Sequence, residues 1–89
     1  MKTIYKFSLQ TVHGQELWIQ KNAKFLSVQM QHGMINLWAL IDPVEMSETR
    51  RIYIYGTGHP VPNHEDLEYL GTVQEISYVW HVFVESAPR

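Results

Sequence analysis

The residues best suited to bind a ligand lie together in one stretch of the chain. Arg51, Tyr53 and Tyr55 alternate with apolar residues, and the period of a β-strand places these three side chains on one face. A guanidinium group pairs with phosphate or carboxylate, while phenol rings stack on bases or sugars. The pattern predicts a surface for a small anionic aromatic ligand, and an exposed sheet face or an oligomer interface enriched in Tyr and Arg remains the alternative.

A glycine-rich loop, GTGHP at residues 56–60, follows directly on that stretch. Glycine lets a backbone approach a ligand closely, and neighbouring N–H groups can form a concave nest for an anion. A rigid turn stiffened by Pro60 and Pro62 is the competing interpretation. The sequence has no Walker loop and no dinucleotide fingerprint. The predicted ligand-binding residues are Arg51, Tyr53, Tyr55, Gly56, Thr57, Gly58 and His59.

Patterns typical of catalysis or metal binding are missing from the sequence. No serine lies in a nucleophile elbow, and most acidic residues lie in predicted loops or at strand ends. His59, His64, Glu65 and Asp66 are residue types that bind metals, but their spacing matches no recognised site. We therefore predict a protein that is not an enzyme and that has no metal and no cofactor. A small hydrolase using His59 is the opposing hypothesis.

The composition predicts one globular domain over residues 1–89, with 45% hydrophobic and 18% charged residues. The chain has no cysteine, which excludes disulfides and thiolate metal sites and is compatible with a reducing compartment. No apolar run approaches the roughly 18 residues of a membrane span, so we expect a cytoplasmic protein without a membrane partner. The net charge of −2 disfavours general nucleic-acid binding.

Alternation of apolar and polar residues predicts an all-β fold. His32-Gly33 stands between two alternating segments and predicts a tight hairpin, because glycine supplies the positive φ of a primed turn. We expect a small antiparallel sandwich or a partly open barrel of roughly six to seven strands. A short helical turn fits residues 43–46 or 65–69, residues 44–49 are expected to form an exposed connection, and residues 86–89 a frayed tail. The predicted strands are residues 2–9, 16–20, 25–31, 34–42, 50–55, 67–75 and 78–85.

The apolar phase of these strands predicts the core. Its expected members are Leu26, Val28, Met30, Leu37, Ala39, Ile41, Ile52, Ile54, Val82 and Val84. The chain also holds three Trp, five Tyr and three Phe, more large aromatic side chains than so small a domain can bury. The surplus predicts a homo-oligomer.

Four short blocks of the sequence are distinctive together: LWALIDP at residues 37–43, GTGHP at 56–60, YLGT at 69–72 and HVF at 81–83. In this order they resemble a family of short phage-encoded proteins of unassigned function. The resemblance implies a phage or prophage gene whose product acts in the bacterial cytoplasm. By analogy with compact phage oligomers that sequester nucleotide signals of host immunity, it favours capture of a nucleotide-like or phosphorylated ligand. A protein–protein interaction module and a phage structural accessory are the other hypotheses.

Overall fold

The computed structural model describes residues 1–86, which form seven antiparallel strands and one short 3-10 turn at His64–Asp66. The strands are β1 (Thr3–Leu9), β2 (Gly14–Gln20), β3 (Lys24–Gln31), β4 (Met34–Ile41), β5 (Ser47–Gly56), β6 (Leu67–Glu75) and β7 (Tyr78–Glu85). The all-β prediction is confirmed. Apart from Ser86, the predicted frayed tail lies outside the described residues.

Two sheets pack face to face, and no barrel closes around residues 1–86. One sheet has three strands in the order β1-β4-β3, and the other has four in the order β2-β5-β7-β6. Alternation along each strand turns the branched aliphatic side chains inward. Ile35, Leu37, Ile52, Val82 and Val84 are all completely buried between the sheets.

The tight hairpin at His32-Gly33 is confirmed. Gln31 pairs with Met34, leaving a two-residue loop. His32 has φ 54° and Gly33 has φ 76°, so both central residues adopt the left-handed conformation of a type I′ turn. The turn sets the register of β3 on β4 and therefore which side chains of β3 face the core.

A β-bulge makes the core prediction wrong for Leu26. Phe25 pairs with Ala39 and Ser27 with Trp38, so Leu26 is the extra residue of the bulge. The extra residue interrupts the period of two, and Leu26 remains 44% exposed. Met30 is half-buried, and the other predicted core residues are buried.

The connection between β4 and β5 is shorter than predicted, because β5 already begins at Ser47. Residues 43–46 form a turn instead of a helical segment: the amide of Glu45 donates to the carbonyl oxygen of Asp42 at 3.0 Å. The 3-10 turn lies at His64–Asp66, immediately before β6, and overlaps the other place considered for a helical turn, residues 65–69, at Glu65 and Asp66. As this is the one helical element in residues 1–86, that part of the chain has no helix with the length or apolar character to span a membrane.

Candidate functional site

The outer face of the four-stranded sheet, the side turned away from the core, carries three rows of polar and aromatic side chains. The first, the charged row, contains Glu16, Arg51 and Glu85. Glu16 and Arg51 are paired across β2 and β5, with 4.0 Å between Oε1 and Nη1. Both side chains are largely exposed, so this ion pair orients Arg51 without removing it from solvent.

The second row, the aromatic row, consists of Tyr53, Phe83 and Tyr69. Tyr53 pairs with Phe83 across β5 and β7, and Phe83 pairs with Tyr69 across β7 and β6. The rings of Tyr69 and Phe83 meet edge to face with centroids 5.6 Å apart, and the guanidinium of Arg51 lies 5.7 Å from the centre of the Tyr53 ring. Tyr69 is 58% exposed, and Tyr53 and Phe83 are half-buried, so solvent reaches the row.

Tyr55 lies beneath this surface. Its ring is only 3% exposed and is covered by the edge of His13, with centroids 4.9 Å apart, and by the rings of Tyr53 and Phe83. Burial raises the pKa of the Tyr55 phenol above its ordinary value, and the neighbouring Tyr53 raises it further. The Tyr55 ring therefore packs beside the Tyr53 ring, with centroids 6.3 Å apart, and is too buried for a ligand on the surface to reach it.

The third row, the hydrogen-bonding row, is centred on His81. Its Nε2 lies 2.8 Å from Oγ1 of Thr57, and its Nδ1 lies 3.0 Å from Oγ1 of Thr72. The Thr72 hydroxyl in turn contacts the hydroxyl of Tyr69. Hydroxyl groups both donate and accept, so the direction of these hydrogen bonds can reverse with the tautomer of His81. The row can therefore match either a donor or an acceptor on a ligand.

Two clefts meet at Glu85 and differ in charge. One, of about 400 Å³, is lined by Tyr53 with the carboxylates of Glu65, Asp66 and Glu85. The other, of about 300 Å³, is lined by Arg51 together with Arg50, Glu16 and Glu85. Glu85 belongs to both clefts, so the surface changes from acidic to mixed charge across the width of one side chain.

The glycine-rich loop is divided between two places. Thr57 reaches the outer face through His81, whereas His59 lines two smaller clefts beside Trp80. The amide of Gly56 donates to Nδ1 of the His59 ring, and the amide of His59 donates to the carbonyl of Gly56 at 3.1 Å. Gly58 has φ 90°, which suits glycine, and is exposed. Of the predicted site residues, the structure thus brings Arg51, Tyr53, Tyr55 and Thr57 to one face and places the His59 ring away from it.

Sequence reasoning missed the contribution of β6 and β7. Tyr69, Thr72, His81 and Phe83 complete the aromatic and hydrogen-bonding rows, yet none was predicted as a site residue. A signal was present, because His81 and Phe83 alternate with the apolar Val82 and Val84. That alternation indicates an outward side but does not reveal that β7 lies next to β5.

Within residues 1–86, no group of three or more His, Asp or Glu side chains is arranged to hold a metal ion. No curated protein and no solved structure matches the chain. A family model matches it over its whole length, residues 1–89. The chain belongs to that family, which is described as a domain of unknown function, DUF7352.

Proposed function

We propose that this protein is a non-enzymatic binding protein that captures a small nucleotide-like ligand on the outer face of its four-stranded sheet. One observation carries the proposal: the aromatic row of Tyr53, Phe83 and Tyr69 lies between the charged row and the hydrogen-bonding row. A planar ring on the aromatic row would have polar partners on both sides. Stacking on aromatic side chains contributes about 1–3 kcal/mol per base.

The distribution of charge favours a ligand with two different ends. Carboxylates accept hydrogen bonds from the exocyclic amines of nucleobases, and Glu65, Asp66 and Glu85 line the cleft beside Tyr53. Arg51 lines the adjoining cleft and offers a guanidinium group to a phosphate. A base over Tyr53 with its phosphate directed toward Arg51 satisfies both clefts. A ligand that carries only negative charge would be repelled by the three carboxylates of the first cleft.

The wider role follows from the resemblance to short phage proteins. We propose that the protein acts as a homo-oligomer in the cytoplasm of an infected bacterium and removes a nucleotide signal of host immunity from solution. Sequestration needs affinity and copy number but no bond cleavage.

A nucleotide screen tests the proposal. The purified protein is heated with a panel of linear and cyclic nucleotides, since a ligand at about 100 times its dissociation constant adds about 2.7 kcal/mol to the stability of the folded state. Nucleotides that raise the melting temperature are then measured by isothermal titration. We expect Arg51→Ala to weaken binding by about 1.5–3 kcal/mol, the range of a hydrogen bond to a charged group. Tyr53→Leu should weaken it by removing the stacking surface.

Tyr78→Leu is the matched control. Tyr78 is 60% exposed, close to the 58% of Tyr69, but it stacks on Trp80 away from the three rows. The control should bind the nucleotide as tightly as the parent protein does. Equal affinity in the parent, Arg51→Ala and Tyr53→Leu proteins would show that the nucleotide binds at another place. If no nucleotide in the panel stabilises the protein, nucleotides are excluded as its ligands.

A further inference from the structure

Strand β2 is an open edge of the four-stranded sheet. Among the strands of residues 1–86 it pairs with β5 alone. Its outer-face side chains include Trp18, which is 68% exposed although it is among the largest apolar groups in the chain. An unpaired strand with an exposed aromatic residue is a template for another strand.

The ladder between β2 and β5 determines which backbone groups of β2 are free. At one end the amide of Ile54 donates to the carbonyl of His13 at 3.0 Å, and at the other the amide of Lys21 donates to the carbonyl of Met46 at 2.8 Å. Hydrogen-bonded pairs alternate along an antiparallel ladder. The odd-numbered residues of β2 therefore bond to β5. The N–H and C=O groups of Gly14, Glu16, Trp18 and Gln20 point away from the sheet.

The other edge strands have features that oppose pairing, and β2 lacks them. β3 and β6 each contain a bulge, between Phe25 and Ser27 and between Tyr69 and Gly71, and they pack against each other. β1 carries Lys6 at its centre. β2 has a continuous register and contains no Lys and no Pro, and its one charged side chain, Glu16, faces Arg51 within its own sheet.

We propose that two copies of this chain associate through their β2 strands, antiparallel about a two-fold axis at Leu17. In this register Glu16 lies opposite Trp18 of the second copy, and Gly14 lies opposite Gln20 of the second copy. Within residues 1–86 the N–H and C=O groups of these four positions have no strand partner, so the pairing forms about eight backbone hydrogen bonds without changing either chain. A register centred on Glu16 would instead place two carboxylates opposite each other.

The dimer joins the two four-stranded sheets into one sheet of eight strands with both outer faces on the same side. Trp18 of the second copy then extends the charged row beyond Glu16, two strands away from Arg51. The two Trp18 side chains of the dimer occupy diagonal positions on adjacent strands. Aromatic side chains at such positions are within reach of each other, so each exposed indole gains the other as a neighbour. The association itself does not depend on a ligand. Only the role of Trp18 as a wall of the ligand surface rests on the proposed function.

Light scattering and amide hydrogen exchange test the dimer on the full chain without any ligand. We expect a mass twice the 10.5 kDa of one chain. The amides of Glu16 and Trp18 should exchange slowly in the dimer and lose that protection on dilution, because they face solvent in the monomer. Those of Leu17 and Ile19 bond to β5 and should stay protected at every concentration.

Two variants and one control complete the test. Trp18→Lys adds a charge to the edge, and Glu16→Pro removes an outward N–H that β5 does not use; both should be folded monomers by circular dichroism and mass. Tyr78→Lys replaces a ring of similar exposure away from β2 and should remain dimeric. A parent protein that stays monomeric at millimolar concentration would overturn the proposal. So would an oligomer that survives both β2 variants, or slow exchange at Glu16 and Trp18 that persists in a monomer. Nucleotide binding by a monomeric parent protein would leave the proposed nucleotide capture standing and would remove the dimer.

Discussion

The amide of Gly56 donates a hydrogen bond to Nδ1 of His59, with 3.3 Å between the two nitrogen atoms. The ring lies so close to the backbone that a Cβ atom on residue 56 would be 3.0 Å from its Cε1 atom. The glycine-rich loop therefore uses one of its own side chains to satisfy the amide that an anion nest would need. Glycine at this position leaves room for the ring, and His59 stabilises the turn.

We predict that Gly56→Ala destabilises the protein by about 1 kcal/mol, the lower end of the range for overpacking, because the His59 ring sits on an exposed loop and can move. In a His59→Ala background, Gly56→Ala should lower the free energy of unfolding much less, because the added methyl group then has room. Urea unfolding of the four proteins measures the coupling. Equal costs in both backgrounds would show that the ring does not restrict residue 56.

The bulge in β3 leads to a paired prediction about stability. Ile54→Ala should lower the free energy of unfolding by about 2–5 kcal/mol, because Ile54 is 4% exposed and its truncation leaves a cavity between the sheets. Leu26→Ala should change it by about 0.5 kcal/mol or less, since the bulge turns Leu26 outward. Chemical denaturation of both variants measures the difference. Similar losses would mean that Leu26 packs in the core after all.

Local patterns predicted the fold well and failed where the chain departs from a period of two. The strands, the His32-Gly33 turn and most of the core depend on neighbouring residues, and all of these were predicted. The bulges at Leu26 and near Tyr69 each add one residue to a strand. Nothing in the sequence near Leu26 marks the bulge, because its position depends on how β3 fits against β4 and β6.

The candidate site was predictable only along a single strand. Alternation placed Arg51, Tyr53 and Tyr55 on one face, and the structure agrees. Burial of Tyr55 depends on His13 and Phe83, which come from other parts of the chain. The order of strands in a sheet is set by long-range pairing, so the contributions of Phe83 and His81 required the structure.

Stability at alkaline pH should depend on Tyr55. Because burial raises the pKa of its phenol above 10.0, the folded protein keeps this proton to a higher pH than the unfolded chain does. The stabilising contribution is complete below about pH 10 and is lost as the pH rises through the folded pKa. We expect the free energy of unfolding to fall between about pH 9 and about pH 11, and to fall less in Tyr55→Phe, which has no proton to lose. Urea titrations at about pH 9 and about pH 11 measure this fall in the free energy of unfolding for the parent protein and for Tyr55→Phe. An equal decrease in parent and variant would assign the alkaline loss to other groups.

The last prediction concerns Gly71, where β6 of one sheet meets β3 of the other. A Cβ atom on residue 71 would lie 3.4 Å from Cβ of Val28 and 3.9 Å from its backbone nitrogen. A single methyl group fits at these distances, so Gly71→Ala should be tolerated. Gly71→Val adds two further methyl groups and should cost about 1–3 kcal/mol by forcing the sheets apart.

Val28→Ala makes room on the opposite strand and provides the test. On its own it destabilises the core, because Val28 is 7% exposed. Combined with Gly71→Val, it should cost less than the sum of the two separate losses, by about 0.5–3 kcal/mol. Urea unfolding of the single and double variants measures this coupling. Strictly additive losses would mean that the two residues do not share the space between the sheets, and the close approach of β6 to β3 would then not depend on glycine at position 71.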